Sequence, residues 1–243
     1  MNIYDLKTGS NQPHVYEKDL AKIKIPNPNI QKQKEIVTLM EEQENIILEQ
    51  EKIIKESNDK IDNFDYSNYN SLSISDIAKE EGLFAGGDVP KKYFSKVKTN
   101  EYNIPIYSND TERKIYGYTN IKKVSEPCIT ISARGTIGHI ELREEPFYPI
   151  VRLICLIPNK NINIKYLKFV LKTIKFESSG SVIPQLTVPN IKNIKIPIPH
   201  IEEQNKIVFI LENYEDNINQ ARLKINNAKT RQKEIMDDIF QID

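Results

Sequence analysis

The sequence predicts a mixed α/β (α+β) domain set between two long helices that pair as a coiled coil. Three observations predict it. Two stretches, 31–64 and 202–241, lack Pro and Gly and carry apolar residues at heptad spacing. Between them lie short β-branched runs separated by Gly, Pro and polar residues. A single strand-turn-helix lead-in stands before each long helix, so the chain repeats itself.

The repeat comes first because it fixes the organisation. "IKIPNPNIQKQKEIV" at 23–37 and "IKIPIPHIEEQNKIV" at 194–208 are related by a constant offset of 171 residues. The offset takes Ile25 to Ile196, Pro26 to Pro197, Pro28 to Pro199, Ile30 to Ile201, Gln33 to Gln204 and Val37 to Val208. It also takes Gly9-Ser10 to Gly180-Ser181, Pro13 to Pro184, Glu44 to Glu215 and Ile54 to Ile225. Of the 46 positions from 9 to 54, 16 match without a gap, which marks a true internal repeat.

In the first helix Met40, Ile47, Ile54 and Ile61 fall at strict sevens, with Leu39, Ile46 and Ile53 beside them. In the second, one row holds Ile207, Tyr214, Ala221, Ala228 and Ile235. The other holds Leu211, Ile218, Ile225 and Ile239, broken by Gln232. A 3–4 seam of this length is a coiled-coil signal. At 1.5 Å per residue the helices run about 45 and 60 Å, and neither buries its seam without a partner. Met40, Ile47, Ile54 and Ile61 are therefore the expected pairing residues of one helix, and Leu211, Ile218 and Ile225 those of the other.

Residues 65–73, "DYSNYNSLS", are polar and turn-prone and read as a linker. The domain then occupies 74–200. Its expected strands are 103–108, 128–132, 137–143 and the apolar run "IVRLICLI" at 150–157. An amphipathic helix follows within 163–177, with Leu167, Val170, Leu171 and Ile174 on one face. The first helix occupies 31–64 and the second 201–243, while residues 1–30 match only the end of another domain.

Composition narrows the function. The chain is neutral overall, with 34 basic and 34 acidic residues. From 70 to 195, however, 19 Lys and Arg face 12 Asp and Glu, a surplus that the flanks cancel. The two cysteines, Cys128 and Cys155, lack metal-ligand spacing and fit a reducing compartment. The N-terminus has no apolar signal core, and "IVRLICLI" is too short to span a bilayer. A cytoplasmic protein without a membrane segment is expected.

Signatures of catalysis are missing from the sequence. "GGDVPK" and "ARGTIG" do not have phosphate-loop spacing, and no GxSxG, HExxH or CxxC occurs. Nor is there a Gly-rich nucleotide fingerprint or the Asp/Asn-Pro-Pro-aromatic tetrapeptide of amino-methyltransferases. His14, His139 and His200 are isolated and read as structural. No metal and no catalytic residue is assigned.

Contact with nucleic acid has better candidates. "VPKKYFSKVK" places Lys91, Lys92, Lys96 and Lys98 around Tyr93, a set suited to phosphates with one stacking ring. A solvated loop fits the same residues equally well. "ISARGTIG" offers Arg134 and Thr136 at a glycine-bearing tip, where a guanidinium can meet guanine O6 and N7 together. A plain hairpin with a paired Arg is the alternative. "ESSGSVIPQL" adds Ser178, Ser179, Ser181 and Gln185, and "IPIYSND" adds Ser108 and Asn109, small polar groups that suit phosphates or base edges. A helix stop followed by a serine turn accounts for the former segment as simply.

Together "GGDVPKKYF", "IPIYSND", "CITISARGTIGHIEL" and "SGSVIPQLTVPNIKNIKIPIPHIEEQNKIVFIL" resemble a target recognition domain. Such domains belong to the specificity (S) subunits of type I restriction–modification enzymes. The run I-P-x-P into Gln204 and a long helix is its most specific part; "GGDVP" departs from the more usual Gly-Gly-Thr-Pro at Asp88 and Val89. The resemblance implies that the helices form an antiparallel coiled coil, with a recognition domain at each end reading one half of a split site in double-stranded DNA. It implies methyltransferase (M) subunits, which carry the S-adenosylmethionine this chain itself does not bind, and motor-nuclease (R) subunits for cleavage. A full S subunit holds two recognition domains, whereas this sequence holds one. Either it is a truncated or rearranged product, or it works as a half-subunit homodimer on a gapped palindrome. A coiled-coil adaptor whose insert binds protein is the competing reading.

Overall fold

A computed structural model describes residues 17–21, 25–109, 115–176 and 185–240. The chain divides into two compact units, Met1–Lys55 with Ile218–Asp243 and Glu56–Asn217.

A short helix, α1 (Glu17–Leu20), precedes α2 (Ile30–Asp62); α6 (Ile201–Phe240) closes the chain. The two long helices hold 33 and 40 residues. Asn29 caps α2 by accepting from the Lys32 N–H at 2.9 Å. In the first unit, Ile36 and Leu39 of α2 line one cleft with Ile235 and Ile239 of α6. The start of one helix therefore lies beside the end of the other, and the pair is antiparallel.

Heptad steps from Ile36 and Ile235 bring Gln43 level with Ala228 and Gln50 level with Ala221. Of the two rows read from α6, Ile218, Ala221, Ala228 and Ile235 are buried and Ile225, Gln232 and Ile239 half-buried, whereas Ile207, Tyr214 and Leu211, the last of them an expected pairing residue, pack in the core of the second unit. On α2 the Met40, Ile47 and Ile54 row is also half-buried. Its companion row is Ile36, Gln43 and Gln50, while Leu39 and Ile46 stay 37% and 38% exposed. One residue is a 100° turn of a helix, so neighbours of the Met40 row point off the seam, and the 3–4 step lands on polar side chains. Small Ala221 and Ala228 leave those glutamines room.

The second unit is built on a four-stranded antiparallel sheet in the order β2-β8-β5-β6, with strands Ala78–Ala85, Ile154–Pro158, Cys128–Ile131 and Ile140–Arg143. A three-stranded sheet joins β4 (Gly117–Thr119), β3 (Ile104–Tyr107) and β7 (Tyr148–Pro149), the last pairing parallel to β3. Helix α4 (Ile164–Thr173) covers the larger sheet, starting at Asn163, whose Oδ1 accepts from the N–H groups of Lys165 and Tyr166. Leu167, Val170 and Leu171 are buried on its inner face, and Ile174 packs partly against the core. Ile129, Ile131, Ile154, Leu156, Ile207 and Leu211 share this core, joined at its edge by Ile61. Cys128, Cys155, Val124 and Phe147 form a smaller apolar cluster with Phe84 and Tyr107.

Three segments differ from the sequence expectation. The strand expected over 150–157 begins only at Ile154, because Val151 and Arg152 have φ of 54° and 65°. Strand β2 arises from "AKEEGLFA", whose charged residues hide it; a bulge with Glu81 at φ 56° interrupts its pairing with β8. The 65–73 segment is not free: Tyr66 and Tyr69 pack on the core, and β1 (Ser71–Ser73) pairs with β9 (Lys195–Pro197). A capping box between Ser73 and Asp76 then starts α3 (Ile74–Ile77), and α5 (Val188–Ile191) precedes β9.

Candidate nucleic-acid interface

Strand register decides which loops meet. Ala85 of β2 faces Ile154 of β8, and Ile154 faces Ile131 of β5, which faces Ile140 of β6. The segments beyond Ala85 and Ile131, and those before Ile154 and Ile140, therefore leave the sheet at one end. They carry Gly86-Gly87, the Arg134–Thr136 tip, Val151–Arg152 and His139.

Asn109 organises this end. It is 9% exposed; its Oδ1 accepts from the Ala133 N–H at 2.7 Å and its Nδ2 donates to the Val151 carbonyl. An amide so committed is a brace between two tips, and sequence reasoning had offered it as a contact to DNA. Gly86 belongs to the same construction. A Cβ there would lie 2.7 Å from the Pro149 carbonyl carbon and 2.8 Å from the Ile150 nitrogen. The "GG" turn is thus a place where two backbones approach, at Gly86 and not at Gly87, around which space is open.

Arg134 is exposed, and its Nε and Nη2 both donate to Gln185 Oε1, at 3.2 and 2.6 Å. Two residues read from separate motifs are brought together, backed by the Leu186 N–H donating to the Ala133 carbonyl at 2.9 Å. The guanidinium keeps its other nitrogen outside that contact, so it has donors for an incoming acceptor. Gly135 and Gly138, at φ +68° and +80°, let the tip turn back into β6. Thr136 is exposed on it, and Ser108 is half-buried beside Asn109.

Lys91, Lys92 and Tyr93 form a 3₁₀ turn a few residues past Gly87, with all three side chains exposed and Tyr93 at 45%. Lys96 and Lys98 are exposed near the three-stranded sheet, where Ser95 bridges to Tyr118. The Lys96 ammonium sits 4.5 Å from the Tyr116 ring centroid and 5.5 Å from that of Phe94, a cation–π perch that fixes where its charge lies. Ser178, Ser179 and Ser181 lie outside the described residues, as does His14.

His139 Nε2 pairs with Glu141 Oε1 at 3.1 Å, and His200 Nδ1 pairs with Glu202. Cys128 and Cys155 are buried, and the contact with Cys128, together with burial, pushes the Cys155 thiol up, away from the nucleophilic thiolate. Among the described residues no group of His, Cys, Asp and Glu gathers as metal ligands, and no described helix is long and apolar enough to cross a membrane. Arg152 also lies at this end, exposed, which the apolar pattern of 150–157 does not show. The run reads as a buried strand by composition, and the positive φ of Val151 and Arg152 brings Arg152 to the shared end.

Comparison with known proteins places the chain in a family. Residues 2–57 and 66–228 match the family described as type I restriction modification DNA specificity domain. A Mycoplasma pneumoniae protein named for a type I specificity subunit is 37% identical over 145 residues, 59% of this chain and 39% of its own length. The chain thus spans about two fifths of that relative. The crystal structure of the type I S subunit from M. genitalium covers 97% of this chain and 68% of its own, with a TM-score of 0.61 at 18% identity. A chain from a structure on complex assembly and conformational transition of the type I R-M system gives 0.69 at 16% identity, over 97% of this chain and 65% of its own. At such identities these two likenesses speak for the fold alone.

Proposed function

Since the chain belongs to the type I restriction–modification DNA specificity family, we propose that it is a non-catalytic, sequence-reading subunit of the cytoplasm. It binds double-stranded DNA and directs partner methyltransferase subunits, which hold S-adenosylmethionine, to a bipartite site. Motor-nuclease subunits join the same assembly where cleavage follows. The carrying observation is the end of the four-stranded sheet, where Arg134 and Gln185 form one polar reader beyond two glycines and an exposed Lys91–Lys92 turn. Lysines of this kind hold phosphates without choosing a sequence, and an oriented guanidinium reads a guanine edge. The partner methyltransferase does the chemistry on a base drawn out of the duplex, so this chain supplies only the address.

A two-fold arrangement is favoured by the unequal cover on the repeated lead-in. Ile196 and Val208 are 0% and 6% exposed under the chain's own recognition domain, while their counterparts Ile25 and Val37 are 80% and 53% exposed. A second copy of the chain, giving two identical readers on a gapped palindrome, supplies the missing cover. Mass in solution tests this point, with a monomer at every concentration counting against it.

The function is tested with the chain co-expressed with its methyltransferase. Duplex binding should weaken steeply with salt, and Lys91→Ala and Lys92→Ala should lower affinity for all sequences, each reducing the salt slope by about 1. Arg134→Ala should relax one position of the methylated motif. Absence of salt-sensitive duplex binding overturns the reading and favours a protein-binding adaptor.

A further inference from the structure

We propose that Arg152 is a second base-reading guanidinium, set beside Arg134 to address the same duplex. The inference rests on the DNA-specificity reading above and adds to it a residue outside every sequence motif. Val151 and Arg152 adopt φ of 54° and 65° in succession. The left-handed region is unfavourable for any residue with a Cβ and more so for a β-branched valine, so it persists only where neighbours impose it. Here three bonds from two separate segments do so. The Val151 N–H donates to the Gly87 carbonyl at 2.8 Å, the Arg152 N–H donates to the Gly86 carbonyl at 3.1 Å, and the Val151 carbonyl accepts from Asn109 Nδ2.

The same Asn109 accepts from Ala133, the residue before Arg134. One buried amide therefore sets the spacing between the backbones that bear the two arginines. A phosphate contact has no need of this, since a lysine on a loose loop meets it; reading a base edge needs a guanidinium launched from a fixed backbone. The other arginines of the domain that are described are engaged: Arg134 on Gln185, and Arg143 stacked 3.9 Å from the Tyr107 ring centroid. Arg152 is exposed and, among the described residues, its side chain makes no hydrogen bond, ion pair or ring contact.

The test uses the full chain in complex with its methyltransferase, first mapping the motif methylated by the wild-type complex. Duplexes carrying each single-base change in that motif are then ranked for binding by wild-type, Arg152→Ala and Arg152→Lys complexes. Arg152→Ala should lose discrimination at one base pair by about 5- to 150-fold and leave the other positions as they were. Arg152→Lys should regain overall affinity without regaining that discrimination. The proposal is overturned if Arg152→Ala keeps the wild-type ranking, and a uniform loss of affinity over all the duplexes that Arg152→Lys restores is the mark of a phosphate contact instead. Failure of the wild-type complex to bind or methylate any preferred sequence instead overturns the underlying reading. The two failures are therefore distinct.

Discussion

Gln33 and Gln204, 171 residues apart, occupy the same place in two copies of one turn. Each donates from Nε2 to the carbonyl of the proline five residues earlier, Pro28 or Pro199, at 2.8 Å. The repeat in the sequence is thus a repeated hydrogen bond that fastens an extended lead-in to the first turn of a long helix. The copies differ in what else they hold. Gln204 is 1% exposed, donates also to the Asn161 carbonyl at 3.3 Å, and accepts from the Asn163 N–H at 2.8 Å. Gln33 is half-buried and, among the described residues, its side chain adds only that of Asn27.

That difference gives the first prediction. Gln204→Ala leaves the Asn163 N–H without its acceptor at the start of α4 and should cost about 3 kcal/mol. Gln33→Ala should cost about 1 kcal/mol or less, because water can replace its partners. Chemical denaturation of the two variants checks the order, and equal losses would contradict the account.

Gly86 and Gly87 should part company in the same assay. Gly86→Ala drives a methyl group into the backbone at Pro149–Ile150 and should destabilise by about 1–3 kcal/mol. Gly87→Ala meets open space and should change stability by no more than about 1 kcal/mol. Comparing their melting temperatures decides it.

Ala221 and Ala228 are small where seam residues are usually large. Each lies level with a glutamine of α2, and Gln50 is 5% exposed. Ala221→Leu should therefore overpack the rod and cost about 1–3 kcal/mol. Gln50→Ala in the same chain should recover part of that loss, so a double-mutant cycle measures the coupling. Additive effects would place the two residues out of contact.

Alkaline pH supplies the fourth prediction. Burial, then the nearby Tyr69, pushes the Tyr66 phenol up to about 12, and burial with Tyr66 raises Tyr166 as well. Both folded values lie above the ordinary value of about 10, so between those points the native state binds more protons than the unfolded chain. The Tyr66 contribution to stability is complete below pH of about 10 and is lost as pH rises through about 12, and that of Tyr166 is lost at higher pH still. Among the described residues the buried Tyr66 hydroxyl has no hydrogen-bond partner, whereas Tyr166 donates to the Pro197 carbonyl at 2.8 Å. Tyr66→Phe should then leave neutral-pH stability unchanged or raised and make the alkaline loss shallower. Denaturation curves at pH 8 and 11 test both parts.

The sequence by itself determined what repeats and what is periodic. The offset, both seam rows of α6, the Met40 row of α2 and the inner face of α4 are regular along the chain, and regularity is what a helix turns into a buried stripe. The family followed from the same local features, above all the run from Ile196 to Val208. Tertiary structure alone decided which short segments share an end of the sheet. Asn109, Ala133 and Val151 are distant in sequence, and their contact turned one expected DNA ligand into a brace. It also took Arg152 out of an apolar run that, by composition, reads as strand throughout. Two left-handed residues leave no mark in a hydrophobic pattern, because the bonds that impose them come from Gly86, Gly87 and Asn109 across the fold.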